Sequence, residues 1–251
     1  MFSFIKSPAT LKSGSLAYAL LGSTTLWLSN TEAALTISST RVIYDSEQKN
    51  VSLRVTNPST KPFAVQTWVN TLADDQTTAV PFIASPPLFR LNAGKEQQVQ
   101  INGLPHSLPQ DRESLFFFNV QEIPQLESGV TNQLNIALRT RIKVFFRPAE
   151  LKSTLLESLK DLKWSIRNID GKPLLIVNNP SPFHMSFIRI ELNANGQTVK
   201  LKETPMALPM ASQTYELDGF KPTQGLQVIF SAINDFGSFT NPMTLPVALD
   251  L

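Results

Sequence analysis

The chain has 251 residues, a length that fits one large domain or two domains of ordinary size. Hydrophobic residues make up 42%, enough for real cores, and the charged share of 17% without a long like-charge block argues against disorder. The formal net charge is only +2 and no lysine and arginine cluster occurs, so we expect no nucleic-acid binding. Because cysteine is absent, thiol catalysis, thiolate metal sites and disulfides are excluded.

The first 33 residues have the layout of a secretory signal peptide. Lys6 and Lys12 give a basic start, and residues 16–28 form an apolar core that is too short to span a bilayer comfortably. Small residues stand at Thr31 and Ala33, the two positions that a signal peptidase recognises, so we place cleavage after Ala33. An uncleaved N-terminal anchor is the alternative. The remaining mature chain would be nearly neutral.

Residues 34–146 alternate short apolar segments with turn residues, at the spacing of an immunoglobulin-like sandwich. We count about seven strands there and no convincing helix. The proline pair at 86–87 prevents ordinary ladder pairing and marks a bend or an edge. The Ser85–Pro86 bond is a candidate for the cis form, which X–Pro bonds tolerate.

The longest alternation runs from Leu134 to Phe146 and predicts one β-strand. At about 3.3 Å per residue it would extend about 43 Å, whereas a usual strand covers about 17–20 Å. A single sandwich would therefore bury only part of it. The rest would project as an apolar edge, which soluble proteins normally avoid because it pairs with other chains. We interpret the retained edge as a surface for pairing with another chain.

The alternating pattern breaks at residues 147–150, which predicts a domain boundary. We assign residues 34–150 to a first domain and residues 151–251 to a second, smaller sandwich. Residues 153–162 are a short, weakly amphipathic helix candidate. Seven strands are predicted after it, at residues 164–167, 173–178, 187–192, 198–201, 213–217, 227–232 and 243–249. The predicted fold class is all-β, with two immunoglobulin-like sandwich domains after the signal peptide.

No pattern points to an enzyme, a metal or a cofactor. His106 and His184 are not at a spacing that would bind a metal, and no nucleophile-elbow, P-loop or zincin motif occurs. Asp74 and Asp75 lie in a polar loop, where we interpret them as turn formers; a metal or acid site is the alternative. A secreted sandwich of this kind also leaves open a carbohydrate-binding or adhesin function.

Several motifs resemble the periplasmic chaperones of the chaperone–usher pilus pathway, the PapD-like family. The resemblance covers most of residues 34–148 in the family's order and is thinner in residues 151–251. The motifs are Thr40-Arg41-Val42-Ile43-Tyr44, Pro62-Phe63-Ala64-Val65-Gln66-Thr67-Trp68, Pro86-Pro87-Leu88-Phe89-Arg90-Leu91, Leu108-Pro109-Gln110-Asp111-Arg112-Glu113-Ser114-Leu115-Phe116, Asn135-Ile136-Ala137-Leu138, Arg141-Ile142-Lys143-Val144-Phe145-Phe146-Arg147-Pro148, Asn179-Pro180-Ser181-Pro182 and Ile233-Asn234-Asp235-Phe236-Gly237.

This resemblance implies a chaperone that works without ATP and lends its seventh strand to a pilus subunit lacking its own last strand. By their place in the motifs, Arg41 and Lys143 would hold the C-terminal carboxylate of the subunit, because two cations bind a carboxylate through charge-assisted hydrogen bonds. Leu134, Ile136 and Leu138 would cover the exposed core of the subunit.

The resemblance also implies two domains set in an L, with Glu113, Arg147 and Asp235 in an interdomain ion-pair network that sets their angle. It implies a periplasmic location and an outer-membrane usher as a second partner. The short loop at residues 125–133 resembles the subclass that serves rod-like pili. Whether the protein associates with itself when no subunit is bound stays open.

Overall fold

The computed structural model describes residues 35–75, 77–123, 136–194, 197–217, 220 and 222–250. The predicted signal peptide (residues 1–33), the loop at residues 125–133 and Leu134 lie outside this part of the chain. Within it, no helix is long and apolar enough to cross a membrane. The described residues form two all-β sandwich domains, each with its own hydrophobic core.

The first domain contains nine strands among its described residues. They are β1 Thr36–Ile37, β2 Arg41–Asp45, β3 Asn50–Thr56, β4 Phe63–Asn70, β5 Phe82–Ser85, β6 Leu88–Leu91, β7 Glu96–Gly103, β8 Ser114–Ile123 and β9 Arg139–Arg147. One sheet has the order β1-β3-β7-β5 and the other the order β2-β9-β8-β4-β6. Most pairs are antiparallel, but β2 runs parallel to β9, as in an immunoglobulin-like sandwich closed by its first and last strands.

Two of the predicted strands change sheets midway, which is why about seven strands become nine. The first is interrupted at residues 38–40, so that β1 pairs with β3 and β2 pairs with β9. Another is interrupted at residues 86–87, so that β5 pairs with β7 and β6 with β4. The ladder stops there because proline has no backbone donor. The Ser85–Pro86 bond is cis.

The strand β9 is shorter than the sequence predicts, because it begins at Arg139 and not at Leu134. Residues 136–138 are described but belong to no strand, although the Leu138 carbonyl accepts a hydrogen bond of 3.0 Å from the Glu122 amide. β8 still offers Glu122 and Ile123 beside this segment, but the described ladder ends at the Gln121–Arg139 pair and only the Leu138 bond extends beyond it. An extended segment needs a neighbouring ladder to satisfy its backbone groups.

The second domain contains seven strands in its described part, as predicted. They are β10 Lys163–Ile169, β11 Lys172–Asn179, β12 Phe187–Ala194, β13 Gln197–Lys200, β14 Ala211–Glu216, β15 Gln227–Ala232 and β16 Met243–Asp250. They follow one hydrogen-bonded order, β13-β12-β15-β16-β10-β11-β14. The order is continuous because the first half of β16 pairs with β15 and its second half pairs with β10.

The predicted helix at residues 153–162 is present in a shorter form. An α-helical turn, α1 (Leu155–Ser158), continues into a 3-10 turn at Leu159–Asp161. Thr154 and Glu157 form a reciprocal capping box at its start, which satisfies donors that a helix N-terminus leaves free. Leu155 and Leu159 are buried in the core of the second domain, so this turn covers one end of that sandwich.

Candidate functional site

Arg41 and Lys143 lie directly opposite each other in the parallel ladder between β2 and β9. Both side chains reach the second domain. Arg41 Nη1 donates to the Ile233 carbonyl at 3.1 Å, and Lys143 Nζ lies 3.2 Å from Ser186 Oγ and 3.4 Å from Met206 Sδ. The structure therefore brings together the two cations that the sequence motifs single out, where the two sandwiches contact each other, a place that we call the cleft.

The environment of these cations favours the arrival of an anion. Burial, and then the nearby charge of Arg41, lowers the pKa of Lys143. Burial likewise lowers the pKa of Arg41, against the opposing charges of Asp235 and Glu113. The Arg41 Nε atom is buried and has no hydrogen-bond partner among the described residues. An unpaired buried donor is costly, and a carboxylate bound beside these two side chains would offset part of their positive charge.

The strand that carries Lys143 has a free edge beyond it. Among the described residues, β2 pairs with β9 only at residues 143–147, whereas β8 pairs with it along residues 139–146. Residues 139–142 therefore have a described neighbour on one side only. Unpaired strand edges of this kind are templates for pairing with another chain.

The apolar face of β9 continues past the end of its own sandwich. Ile142, Val144 and Phe146 are buried in the core of the first domain. Two residues of the same parity earlier in the chain are exposed, Ile136 by 62% and Leu138 by 46%. A side chain that is core-facing in pattern but exposed in fact is a candidate contact for another molecule's core.

Arg147, at the end of β9, connects the two domains through charges. It donates two hydrogen bonds of 2.7 Å to Asp235 and one of 2.9 Å to Glu113 Oε1. Burial alone would lower the pKa of Arg147, but hydrogen bonds and charges from Asp235 and Glu113 outweigh it and the pKa is raised. The three residues named by the sequence motifs thus meet, and their role in fixing the domain angle stays a prediction.

His184 joins the same network, which sequence reasoning missed. Its backbone amide donates to Glu113 Oε2 at 2.8 Å, and its Nδ1 lies 3.0 Å from the same oxygen. Its ring packs against Phe145 at a centroid distance of 5.4 Å. Nothing in the spacing of two isolated histidines indicates this contact, because Glu113 and His184 are 71 positions apart.

Asp74 is also more than a turn former. Its carboxylate accepts two hydrogen bonds from Arg139, of 3.1 and 2.5 Å. Asp75, by contrast, accepts only from Thr77 and Thr78 of its own loop among the hydrogen bonds described for it. No group of three or more potential metal ligands occurs in the described part of the chain. The adjacent acids therefore have different surroundings.

Comparison with protein families gives two matches that together span most of the chain. Residues 34–152 match the PapD N-terminal domain, a pili and flagellar-assembly chaperone family, and residues 157–243 match the C-terminal domain of the pili assembly chaperone PapD. The two matches follow each other in the order of the two sandwiches.

Individual relatives carry chaperone names. The probable fimbrial chaperone YadV of Escherichia coli K12 is 39% identical over 218 residues, which cover 83% of this chain and 88% of YadV. The chaperone PapD of Escherichia coli is 32% identical over 213 residues, covering 84% of this chain and 85% of PapD.

Solved structures of pilus chaperones have a fold similar to that of this chain. The crystal structure of YadV superposes with a TM-score of 0.74 at 36% identity, covering 85% of this chain and all of that one. A chain from the complex of the Salmonella enterica SafA pilin with the SafB chaperone superposes with a TM-score of 0.72 at 28% identity. The match covers 85% of this chain and 96% of the matched chain.

Proposed function

Because this chain belongs to the PapD family of pilus-assembly chaperones, we propose that it binds pilus subunits in the periplasm by lending them part of β9. The subunit, which we call the client, would pair its edge with residues 139–142. The donor segment, residues 136–138 in the described chain and Leu134 before them, would insert its apolar side chains into the client's incomplete core. No nucleotide is needed, because the burial of apolar surface supplies the free energy.

The observation that carries this proposal is the free edge of β9 next to two buried cations. The edge begins immediately before Lys143, and Arg41 lies at the same level on β2. A client carboxylate bound to both cations would fix the register of the paired strand, because one terminal group can occupy only one place along the edge. The exposed Ile136 and Leu138 would then face the client's core.

The relatives support the choice of client. One solved neighbour is a chaperone in complex with a pilin, the SafA pilin with SafB. We extend that partner class to this chain and propose delivery of the loaded client to an outer-membrane usher. Without a client, the exposed edge would be masked by a second copy of the chain, since a free edge pairs with whatever complementary edge is present.

The test is co-expression of the full chain with candidate pilus subunits in the bacterial periplasm. We expect one subunit to be recovered soluble in a one-to-one complex. Lys143→Ala and Arg41→Ala should abolish recovery while both variants remain folded. Matched controls are Lys163→Ala and Arg54→Ala, which remove exposed cations outside the cleft and should leave recovery unchanged.

Two outcomes would contradict the proposal. If Lys143→Ala and Arg41→Ala both left recovery of the soluble subunit unchanged, the two cations would not bind its carboxylate. Binding to a glycan array without any complex with a subunit would instead favour an adhesin function.

A further inference from the structure

Arg139, the first residue of β9, is held on several sides. Its guanidinium donates to both Asp74 oxygens and to Asn119 Oδ1, the latter at 3.0 Å from Nε and 2.6 Å from Nη2. It also lies over Trp68, 4.8 Å from the ring centroid. Arginine has many rotamers to lose, and these charge-assisted contacts hold the guanidinium in one position.

The groups that hold Arg139 are themselves fixed. Asn119 is fully buried, and its Nδ2 donates to Asn70 Oδ1 at 3.0 Å and to the Phe117 carbonyl at 3.2 Å. Asn70 Nδ2 donates to Asp74 Oδ1 at 2.7 Å. Asp74 has a φ of +59°, which aspartate adopts more readily than most residues. The contacts form one connected set across β9, β8, β4 and the loop after β4.

The Arg141 side chain extends in the same direction as the Arg139 side chain. It lies over Phe117, 3.8 Å from the ring centroid, and donates to the Thr71 carbonyl at 2.5 Å. Its Nη2 is 3.9 Å from Asp74 Oδ1. Both arginines that precede Lys143 therefore reach toward β4 and its loop.

We propose that the Asp74–Arg139 pair, seated on Trp68 and Asn119, is a latch that fixes the point where β9 stops pairing in its own sandwich and the donor segment begins. This rests on the proposed function. Asp74 and Arg139 are positioning residues, because they act through the backbone at residue 139. The described ladder with β8 ends at Arg139, and beyond it only the Leu138 carbonyl still accepts a hydrogen bond from Glu122, so the direction of residues 136–138 depends on how firmly residue 139 is held.

The latch has a kinetic consequence. Residues 139–142 have a described neighbour on one side only, and segments with few partners open locally at low free-energy cost. Ordering such a segment during binding reduces affinity and rate, and a preformed geometry avoids that cost. Capture of a client should therefore be slower when the latch is removed, even though the sandwich core is intact.

The experiment compares Asp74→Ala with Asp75→Ala in the mature protein. Asp75 is the matched control because it is the adjacent carboxylate and bonds within its own loop. The first measurement is hydrogen exchange of the amides at residues 136–142. We expect exchange to be faster in Asp74→Ala by at least about tenfold, because both hydrogen bonds from Arg139 to Asp74 are lost, and unchanged in Asp75→Ala.

The second measurement is the rate of capture of the subunit identified by co-expression, refolded from denaturant in the presence of each variant. Asp74→Ala should capture it about tenfold more slowly, and Asp74→Glu should restore part of the rate, which a purely structural role would not require. If Asp74→Ala fails to fold, Asp74→Asn provides the same test, because it keeps the size of the side chain and loses the charge.

The outcomes separate this proposal from the one before it. Wild-type exchange and capture in Asp74→Ala, with Arg41→Ala and Lys143→Ala still unable to bind, would overturn the latch alone. If the cleft variants also capture normally, the proposed function fails first.

Discussion

Arg147 and Asp235 are joined across the two domains by a bidentate ion pair whose hydrogen bonds are both 2.7 Å long. The same guanidinium contacts Glu113, whose side chain is only 1% exposed. Arg147 is the last residue of β9, so one strand carries the interdomain ion pair at one end and the free edge at the other. Disturbing the domain interface should therefore be felt at the site.

Asp235→Ala should loosen the contact between the sandwiches. It leaves Arg147 with one carboxylate partner, and the loss of hydrogen bonds to a charged group costs about 1.5–3 kcal/mol. We expect the thermal unfolding of the two domains to separate from one transition into two, measured by calorimetry. The control is Asp111→Ala, which removes an exposed pair with Arg112 inside one loop. A single sharp transition in Asp235→Ala would contradict the prediction.

Lys143→Met should reveal the cost of the buried cation as a function of pH. Burial and the charge of Arg41 lower the pKa of Lys143 below its usual 10.5. The folded protein then binds fewer protons at this group than the unfolded chain does, so the wild type gains stability as pH rises through the lowered value toward 10.5.

We expect the free energy of unfolding of the wild type, relative to Lys143→Met, to increase between about pH 7 and about pH 10. Urea melts at both values measure it, with Lys163→Met, at an exposed lysine, as the control. If the free energy of unfolding of the wild type, relative to Lys143→Met, stayed constant or fell with rising pH, burial would not disfavour the charged form of Lys143.

Gly237→Ala should destabilise the domain interface more than Gly94→Ala does. Both glycines have positive φ, +80° and +64°, where a Cβ costs about 1–2 kcal/mol. At Gly94 an added Cβ meets nothing within 4 Å, but at Gly237 it would lie 2.1 Å from Thr40 Oγ1 of the other domain. Chemical denaturation should therefore show the larger loss for Gly237→Ala. Equal losses would mean that Thr40 moves aside freely.

Ile136→Asp should abolish self-association of the client-free protein. The wild type should show a concentration-dependent increase in mass by sedimentation, because an exposed apolar edge pairs with another copy. A charge on the donor segment opposes that pairing. Ile169→Asp is the matched control, since Ile169 is 44% exposed in the second domain. The prediction fails if the control variant dissociates as well, or if the wild type is monomeric throughout.

Acid should weaken the contact between Asp74 and Arg139. Hydrogen bonds from Arg139 and Asn70 lower the pKa of Asp74 from 3.8 to about 2. The stabilisation is fully present above the unfolded value and is lost as pH falls through about 2. The stability difference between the wild type and Asp74→Asn should therefore shrink between pH 4 and pH 2. Acid titration followed by circular dichroism measures it, and a constant difference would exclude the charged contact.

Much of the fold could be predicted from alternation and turn residues. The strands of the second domain fall close to their predicted positions because turn signals separate several of them and buried residues alternate with exposed ones. The sheet changes at residues 38–40 and 86–87 could not be predicted, because they depend on which sheet offers a partner. The predicted start of β9 is wrong because alternation in the sequence continues through residues 136–138, which belong to no strand.

The residues of the candidate site could be predicted from sequence motifs, but their contacts could not. Arg41 and Lys143 were singled out by motif, and their direct opposition is a matter of register between strands about a hundred residues apart in sequence. The pairing of Asp74 with Arg139 spans 65 positions. Two acids in a polar loop are usually turn formers, so local pattern favoured the ordinary interpretation. Long-range ion pairs leave no periodic signal in a single sequence.

The opposition of Arg41 and Lys143 has one more consequence, for the tail of a client. Successive side chains of a strand point to opposite faces. If the tail end is pinned at this level, lengthening the tail by one residue inverts which side chains meet the donor segment. Lengthening the tail by two residues keeps the same face of the client strand toward the donor segment and only shifts its side chains along it. A chaperone of this design would distinguish odd from even insertions, and so would sense the parity of its client's last strand as well as its hydrophobicity.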